Sequence, residues 1–222
     1  MGPIRRLAVY YAPRPGAFAD RAAAWFVAGE AAQRLLPDLS LAQLMAGARR
    51  YGFHGTIRAP FRPASGVTLE DVGAHVAALA ALLAPARCDG LRLANMHGFL
   101  ALVPEGDEGA LRDLAAHVVT ETDALRAPLD AGEIARRRPE TLSTRQRDLL
   151  HRWGYPYVME EFRFHLTLTD SLPQTVLDPV AAALAAHFAP VLPQPFVVED
   201  LCLFGEDAAG MFHLLQRHAL CG

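Results

Sequence analysis

Tyr51-Gly52-Phe53-His54-Gly55-Thr56-Ile57-Arg58-Ala59-Pro60-Phe61 and Phe162-Arg163-Phe164-His165-Leu166-Thr167-Leu168-Thr169 are the two stretches on which the fold turns. Both alternate apolar and polar residues, the period of a strand with one face on a core. In the first, His54, Thr56 and Arg58 share a face, with Phe53 and Ile57 on the other. In the second, Arg163, His165, Thr167 and Thr169 oppose Phe162, Phe164, Leu166 and Leu168. A row of His, Thr and Arg backed by an apolar row suits a strand lining a wet cleft. Strands are therefore predicted over Phe53 to Arg58, ended by Pro60 and Pro63, and over Phe162 to Thr169, closed by Pro173.

Working outward, each histidine strand is followed by the same order of elements. After the first come a helix from Thr68 to Leu83, a strand Leu91 to Met96, a tight turn at His97-Gly98, a strand Phe99 to Val103 and a helix from Glu108 to Leu125. After the second come a helix from Val176 to Phe188, a strand Phe196 to Phe204, a loop through Gly205 to Gly210 and a strand Met211 to Leu220. Upstream lie a strand Leu7 to Tyr11 and helices over Asp20 to Leu35 and Ser40 to Arg50. One unit used twice accounts for this order. The expected fold is α+β and bilobal: a pseudo-two-fold duplication with antiparallel sheets lining a central groove and helices outside. One lobe is centred on 53–125 and the other on 162–220, with 1–52 completing a single domain. Residues 126–161 fit neither half; they carry Arg136, Arg137, Arg138, Arg145, Arg147 and Arg152 and read as a helical insertion or lid. A run such as Arg136-Arg137-Arg138 is more often a solvated helix face than a ligand contact.

At 222 residues and 52% hydrophobic content the chain can bury a full core. A net charge of −3 argues against a broad electrostatic grip on nucleic acid, so any polyanion site must be local. The chain contains no lysine, which reads first as a compositional bias; it also means that a cationic contact to phosphate must come from Arg or His. Cys88, Cys202 and Cys221 have no C-x-x-C spacing and support neither a disulfide framework nor a zinc site. No metal and no cofactor is expected. Without a signal-like start or an apolar stretch of the ~20 residues that span a membrane, the expected location is the cytoplasm, with no membrane partner.

Nine histidines and nine threonines in 222 positions would supply roughly 0.4 His-x-Thr triplets by chance, so a single triplet says nothing. Two, each followed by an aliphatic residue (Ile57 and Leu168) at matching places in two similar halves, say more. The paired motifs resemble those of the 2H phosphoesterase superfamily, which includes the LigT-like RNA cyclic phosphodiesterases. The stretch from Tyr51 to Phe61 is similar to a branch found beside phosphonate-degradation genes. That resemblance implies a bilobal fold with one motif from each lobe facing the groove, His54 and His165 as a catalytic pair, and Thr56 and Thr167 as phosphate-binding hydroxyls.

The chemistry is coherent with these residue types. Two imidazoles, with a free pKa of ~6.5, can act as base and acid on opposite sides of one phosphorus. Hydroxyls and guanidinia can hold the charge that builds on its oxygens. Arg58, Arg163 and Thr169 are candidate substrate contacts, as are Tyr10 and Tyr11 on the first strand and Tyr155 and Tyr157 in the insertion; one ring of Tyr10 and Tyr11 is expected to face the core. The expected activity is metal-independent hydrolysis of a cyclic phosphate or related small phosphodiester, in phosphonate or ribose-phosphate metabolism. The expected partner is a small phosphorylated substrate, a nucleotide or ribose cyclic phosphate, in preference to long nucleic acid. Two alternatives stand beside it: a noncatalytic module binding a nucleotide or phosphorylated ligand, and an RNA end-processing 2′-5′ ligase or cyclic phosphodiesterase.

Overall fold

A computed structural model describes residues 3–28 and 45–222. Nine strands are present among them: β1 (Arg6–Tyr11), β2 (Gly55–Phe61), β3 (Ala86–Cys88), β4 (Gly90–Met96), β5 (Phe99–Glu105), β6 (Leu166–Thr167), β7 (Phe196–Val198), β8 (Asp200–Glu206) and β9 (Phe212–Ala219). Seven form one antiparallel sheet in the order β4-β5-β6-β2-β1-β8-β9, while β3 and β7 pair with each other as a separate ribbon. The helices are α1 (Ala17–Ala23), continued by a wider π turn at Ala24–Ala28, α2 (Ala46–Tyr51), α3 (Leu69–Leu82), α4 (Gly109–Glu121), α5 (Ala131–Arg136), α6 (Thr144–Trp153) and α7 (Gln174–Phe188). The expected α+β class with antiparallel pairing is observed.

The two histidine-bearing segments meet in the middle of the sheet, where β2 pairs with β6. The halves of the chain also exchange contacts. Strand β5 pairs with β6, while α3 packs on the β8–β9 hairpin and α7 against β4. The first hairpin closes through His97 (φ 56°) and Gly98 (φ 105°), a two-residue turn with both residues left-handed, as the sequence predicts for a tight connection.

The sheet has two unlike faces. One carries Leu7, Val9, Ile57, Leu100, Leu102, Leu166, Leu201 and Leu203 into the main core, under α3, α4 and α7. The other carries a small aromatic cluster, Tyr10, Phe204 and Phe212 with Ala8, Ala12 and Cys202, against which Tyr51 packs. The insertion attaches through a third cluster, in which Leu149 and Val158 meet Val119 of α4. Its helices begin where the sequence supplies capping boxes: Asp130 with Glu133, and Ser143 with Gln146.

Several boundaries differ from the sequence reading. The strand expected over Phe162 to Thr169 is reduced to Leu166–Thr167. Phe162 and Phe164 are buried as the alternation requires, but a 3-10 turn at Met159–Glu161 precedes them, and the Trp25 indole donates to the Leu168 carbonyl at 3.0 Å. The strand expected over Phe196 to Phe204 is split into β7 and β8, which belong to different sheets. The helix expected to reach Leu125 stops at Glu121 and is followed by a 3-10 turn at Asp123–Leu125. The end of the helix expected to Leu35, and the start of the one expected from Ser40, lie outside the described residues.

His187, in the last turn of α7, is buried: its Nε2–H donates to the Arg21 carbonyl at 2.9 Å and its ring packs on Trp25 and Phe188. Cys88 and Cys202 are buried and Cys221 exposed, all three unbridged. Among the described residues no helix is long and apolar enough to cross a membrane. Leu102 lies wholly inside the core, between β4 and β6. Leu102→Ala should lower unfolding stability by about 2–5 kcal/mol, measurable as a shift in the urea midpoint at unchanged slope.

Candidate functional site

The site begins with a glycine. Gly55 pairs directly with Leu166, and a Cβ built on Gly55 would overlap the Phe164 ring. Only a residue without a side chain lets Phe164 lie across β2, so the backbones of β2 and β6 can pair at this point. One residue to either side along that register, His54 stands opposite Thr167 and Thr56 opposite His165. Directly opposed Cβ atoms lie about 4.5–5.5 Å apart, and diagonal neighbours, here the two histidines, roughly 7–8 Å. Gly55 and Leu166 point into the main core, so the four polar residues share the opposite face.

Each imidazole is oriented by the same local device. His54 Nδ1 lies 3.1 Å from the Gly52 carbonyl and His165 Nδ1 lies 2.8 Å from the Arg163 carbonyl, two residues back in both cases. A carbonyl can only accept, so Nδ1 carries the proton and, in the neutral ring, Nε2 presents a lone pair. Gly52 makes this possible by ending α2 with φ 70°, a left-handed conformation that glycine adopts without strain. Asp170, just beyond the second motif, anchors the other end of α2: its carboxylate accepts from the Gly47 and Ala48 N–H groups at 2.8 and 2.9 Å. The segment after His165 thus holds the helix that delivers His54.

The two histidines sit in different surroundings. Tyr10, 1% exposed, stacks on His54 with centroids 4.0 Å apart, and Tyr51 and Phe204 complete an aromatic wall at 6.0 and 6.5 Å. Burial pushes the His54 imidazole down to about 4; the Gly52 carbonyl partly opposes this, and the charge of His165 adds to it. Among the described residues, His165 has one aromatic neighbour, Phe99 at 5.7 Å, and burial again lowers its pKa, opposed by the Arg163 carbonyl. Among the described residues neither the Thr56 nor the Thr167 hydroxyl has a hydrogen-bond partner. Two neutral proton acceptors and two hydroxyls therefore converge, an arrangement able to take a proton from a ligand or hold an oxyanion.

The other candidates divide. Tyr10 faces the site, but Tyr11 points into the core, edge-on to Phe164 and Phe196 at 6.0 and 5.1 Å, and is no substrate contact. Thr169 is fully buried and its Oγ1 accepts from the Leu100 N–H at 3.0 Å, so it too is structural. Arg58 does not share a face with Thr56. An extra residue in β2 between the Val9–Arg58 and Tyr10–Thr56 pairs reverses the alternation. Arg58 is 2% exposed, donates to the Val119 carbonyl at 3.3 Å and lies 3.6 Å from Asp123.

Arg163 is exposed, but its guanidinium closes on its own loop through the Glu160 and Phe162 carbonyls. Tyr155 packs against Trp153 and Val158 under the Arg137 guanidinium, with Tyr157 beside it in solvent. Tyr51, Phe99, Arg6 and Arg50 at or near the groove were not singled out from the sequence. Only Tyr51, inside the first quoted stretch, left a signal there. Among the described residues no three His, Cys, Asp or Glu side chains are grouped to hold a metal.

The paired His-x-Thr segments thus meet across one antiparallel sheet. This chain belongs to the DUF1045 family, described as a protein of unknown function, whose match spans residues 56–213. It is 40% identical over 179 residues to ribose 1,5-bisphosphate phosphokinase PhnN of Janthinobacterium sp. (strain Marseille), covering 79% of this chain and 40% of that protein. It is 39% identical over 222 residues to the protein of the same name from Laribacter hongkongensis (strain HLHK9), covering 96% of this chain and 51% of that one. The chain therefore spans about half, or less, of the length of these curated relatives. Among solved structures, the crystal structure of TT0787 of Thermus thermophilus aligns over 98% of both chains with a TM-score of 0.49 and 20% identity.

These names correct the expected activity. Both relatives are named as kinases, which transfer phosphoryl groups, and that conflicts with the hydrolase, 2H-type phosphodiesterase, expected from the motifs.

Two outcomes follow from the geometry. Gly55→Val should cost about 1–3 kcal/mol through overpacking against Phe164 and part β2 from β6, seen as a lowered denaturation midpoint. The second concerns pH. Both imidazoles are harder to protonate in the fold than in the unfolded chain, so below about pH 6.5 the unfolded state binds more protons. Stability is therefore complete above that pH and falls as pH drops toward about 4. His54→Gln should flatten that decline between pH 6.5 and 4.5, and NMR titration of the wild-type ring should find His54 near 4.

Proposed function

We propose that this chain binds a small phosphorylated sugar, a ribose phosphate of the class named by its relatives, between His54 and His165. The observation that carries this reading is the cross-strand quartet, which offers two Nε2 atoms and two hydroxyls unengaged among the described residues, over one patch of sheet. The diagonal between the histidines leaves room for one tetrahedral group, with Thr56 and Thr167 able to donate to its oxygens. The resemblance of the paired motifs to those of phosphoesterases supports phosphate as the group held. The link to phosphonate metabolism is supported by the same likeness and by the names of the relatives.

Phosphoryl transfer, for which the longer relatives are named, needs a cradle for the nucleotide phosphates. Its common form, a Gly-rich loop, ends in lysine. This chain has no lysine. The reading therefore assigns it recognition of the phosphorylated sugar, leaving the nucleotide to other parts of such longer proteins.

Neutral imidazoles do not attract a dianion, so the complex must hold a proton: taken up by a ring, or kept on the phosphate and donated to Nε2. Above about pH 6, where a phosphate monoester loses that proton, binding takes one up. Calorimetry with ribose 1,5-bisphosphate should therefore show affinity strengthening as pH falls from 8 to 6, by up to roughly tenfold per unit. His54→Gln and His165→Gln should each weaken binding by roughly tenfold or more. Unaltered affinity in both variants would refute the assignment.

A further inference from the structure

A cavity of about 430 Å³ opens beside the histidine site, lined by Arg6, Arg50, Tyr51, Glu133, Arg136 and Arg137 among others. Four guanidinia from three separate parts of the chain converge on it: Arg6 from β1, Arg50 from α2, and Arg136 and Arg137 from the end of α5.

The acids nearby do not balance them. Glu206, 5% exposed, accepts from Arg6 at 2.5 and 2.7 Å and also takes Arg50 at 3.3 Å, one carboxylate between two cations. Glu133, also lining the cavity, is engaged by Arg62 at 2.8 and 3.0 Å and feels the Arg136 charge more weakly. Arg136 and Arg137 have no ion-pair partner among the described residues; Arg137 lies over the Tyr155 ring at 4.7 Å. A cluster of cations lining one cavity with too few counter-charges is stabilised by an anion.

Tyr51 joins this cavity to the histidines. Its ring lines the cavity and packs 6.0 Å from His54 and 5.2 Å from Phe212. A ligand with one phosphate at the histidines could therefore project a second past Tyr51, among the arginines, across the span of one sugar ring.

We propose that the arginine cavity is a second phosphate subsite, so that the groove selects sugars phosphorylated at both ends over monophosphates. This rests on the phosphorylated-sugar reading above. It commits the insertion to ligand recognition, through Arg136 and Arg137.

The test is calorimetry of the full chain and of R136A/R137A with ribose 1,5-bisphosphate, ribose 1-phosphate and ribose 5-phosphate. Wild type should prefer the bisphosphate to either monophosphate by roughly tenfold to a hundredfold. In R136A/R137A the bisphosphate should fall to the level of the monophosphate that sits at the histidines. That monophosphate should keep its affinity within about twofold, which also shows the variant to be folded. A variant that retains the bisphosphate preference, or a wild type without one, overturns the subsite. The underlying reading fails separately: it falls if no ligand's affinity responds to His54→Gln or His165→Gln, whatever the preference between ligands.

Discussion

Everything at the histidine site depends on one backbone pairing, Gly55 with Leu166. It is the only ladder pair between β2 and β6 among the described residues, and it exists because Gly55 leaves the Phe164 ring its space. From that contact follow the opposition of His54 to Thr167 and of Thr56 to His165. So does the separation of faces, with leucines into the core and polar groups into the groove. The surrounding structure reinforces the contact: Asp170 holds the N-terminus of α2, the Trp25 indole takes the Leu168 carbonyl, and Glu206 gathers β1 and α2 through two arginines.

Electrostatically the groove is built in two parts. At the histidines, burial keeps the rings neutral while backbone carbonyls fix their tautomer, so both Nε2 atoms act as acceptors at neutral pH. Beyond Tyr51 the balance reverses, and guanidinia outnumber carboxylates. The net charge of −3 conceals this, because a local excess of a few cations vanishes in a sum over the chain.

Much of this was legible in the residues because strand alternation has a strict period. It identified the β2 and β6 segments, put His54 and Thr56, and His165 and Thr167, on common faces, and located the His97-Gly98 turn. The same reasoning failed where the period breaks. Arg58 follows Thr56 at the right interval, but an extra residue in β2 turns it inward, and no single-sequence pattern announces a bulge. Thr169 was misread because its hydroxyl serves a distant backbone N–H on β5. Tyr51 and the arginines of the cavity, from Arg6 to Arg137, are brought together by tertiary packing, which local spacing cannot record. The activity was misjudged for another reason: paired histidines are chemically versatile, so the motif does not by itself specify hydrolysis.

The strand exchange between the two halves bears on how the chain is made. β1 is hydrogen-bonded on one side to β2 and on the other to β8, with Arg6 facing Glu206. A ribosome would release the first strand long before its second neighbour is translated. The nascent chain must then wait with an open, largely apolar sheet edge until the final hairpin emerges. Sheets closed by such distant pairings assemble slowly and expose adhesive edges while they do. A chaperone that shields β1 during synthesis would meet that need, and truncation before β8 would leave an aggregating fragment rather than a smaller working domain.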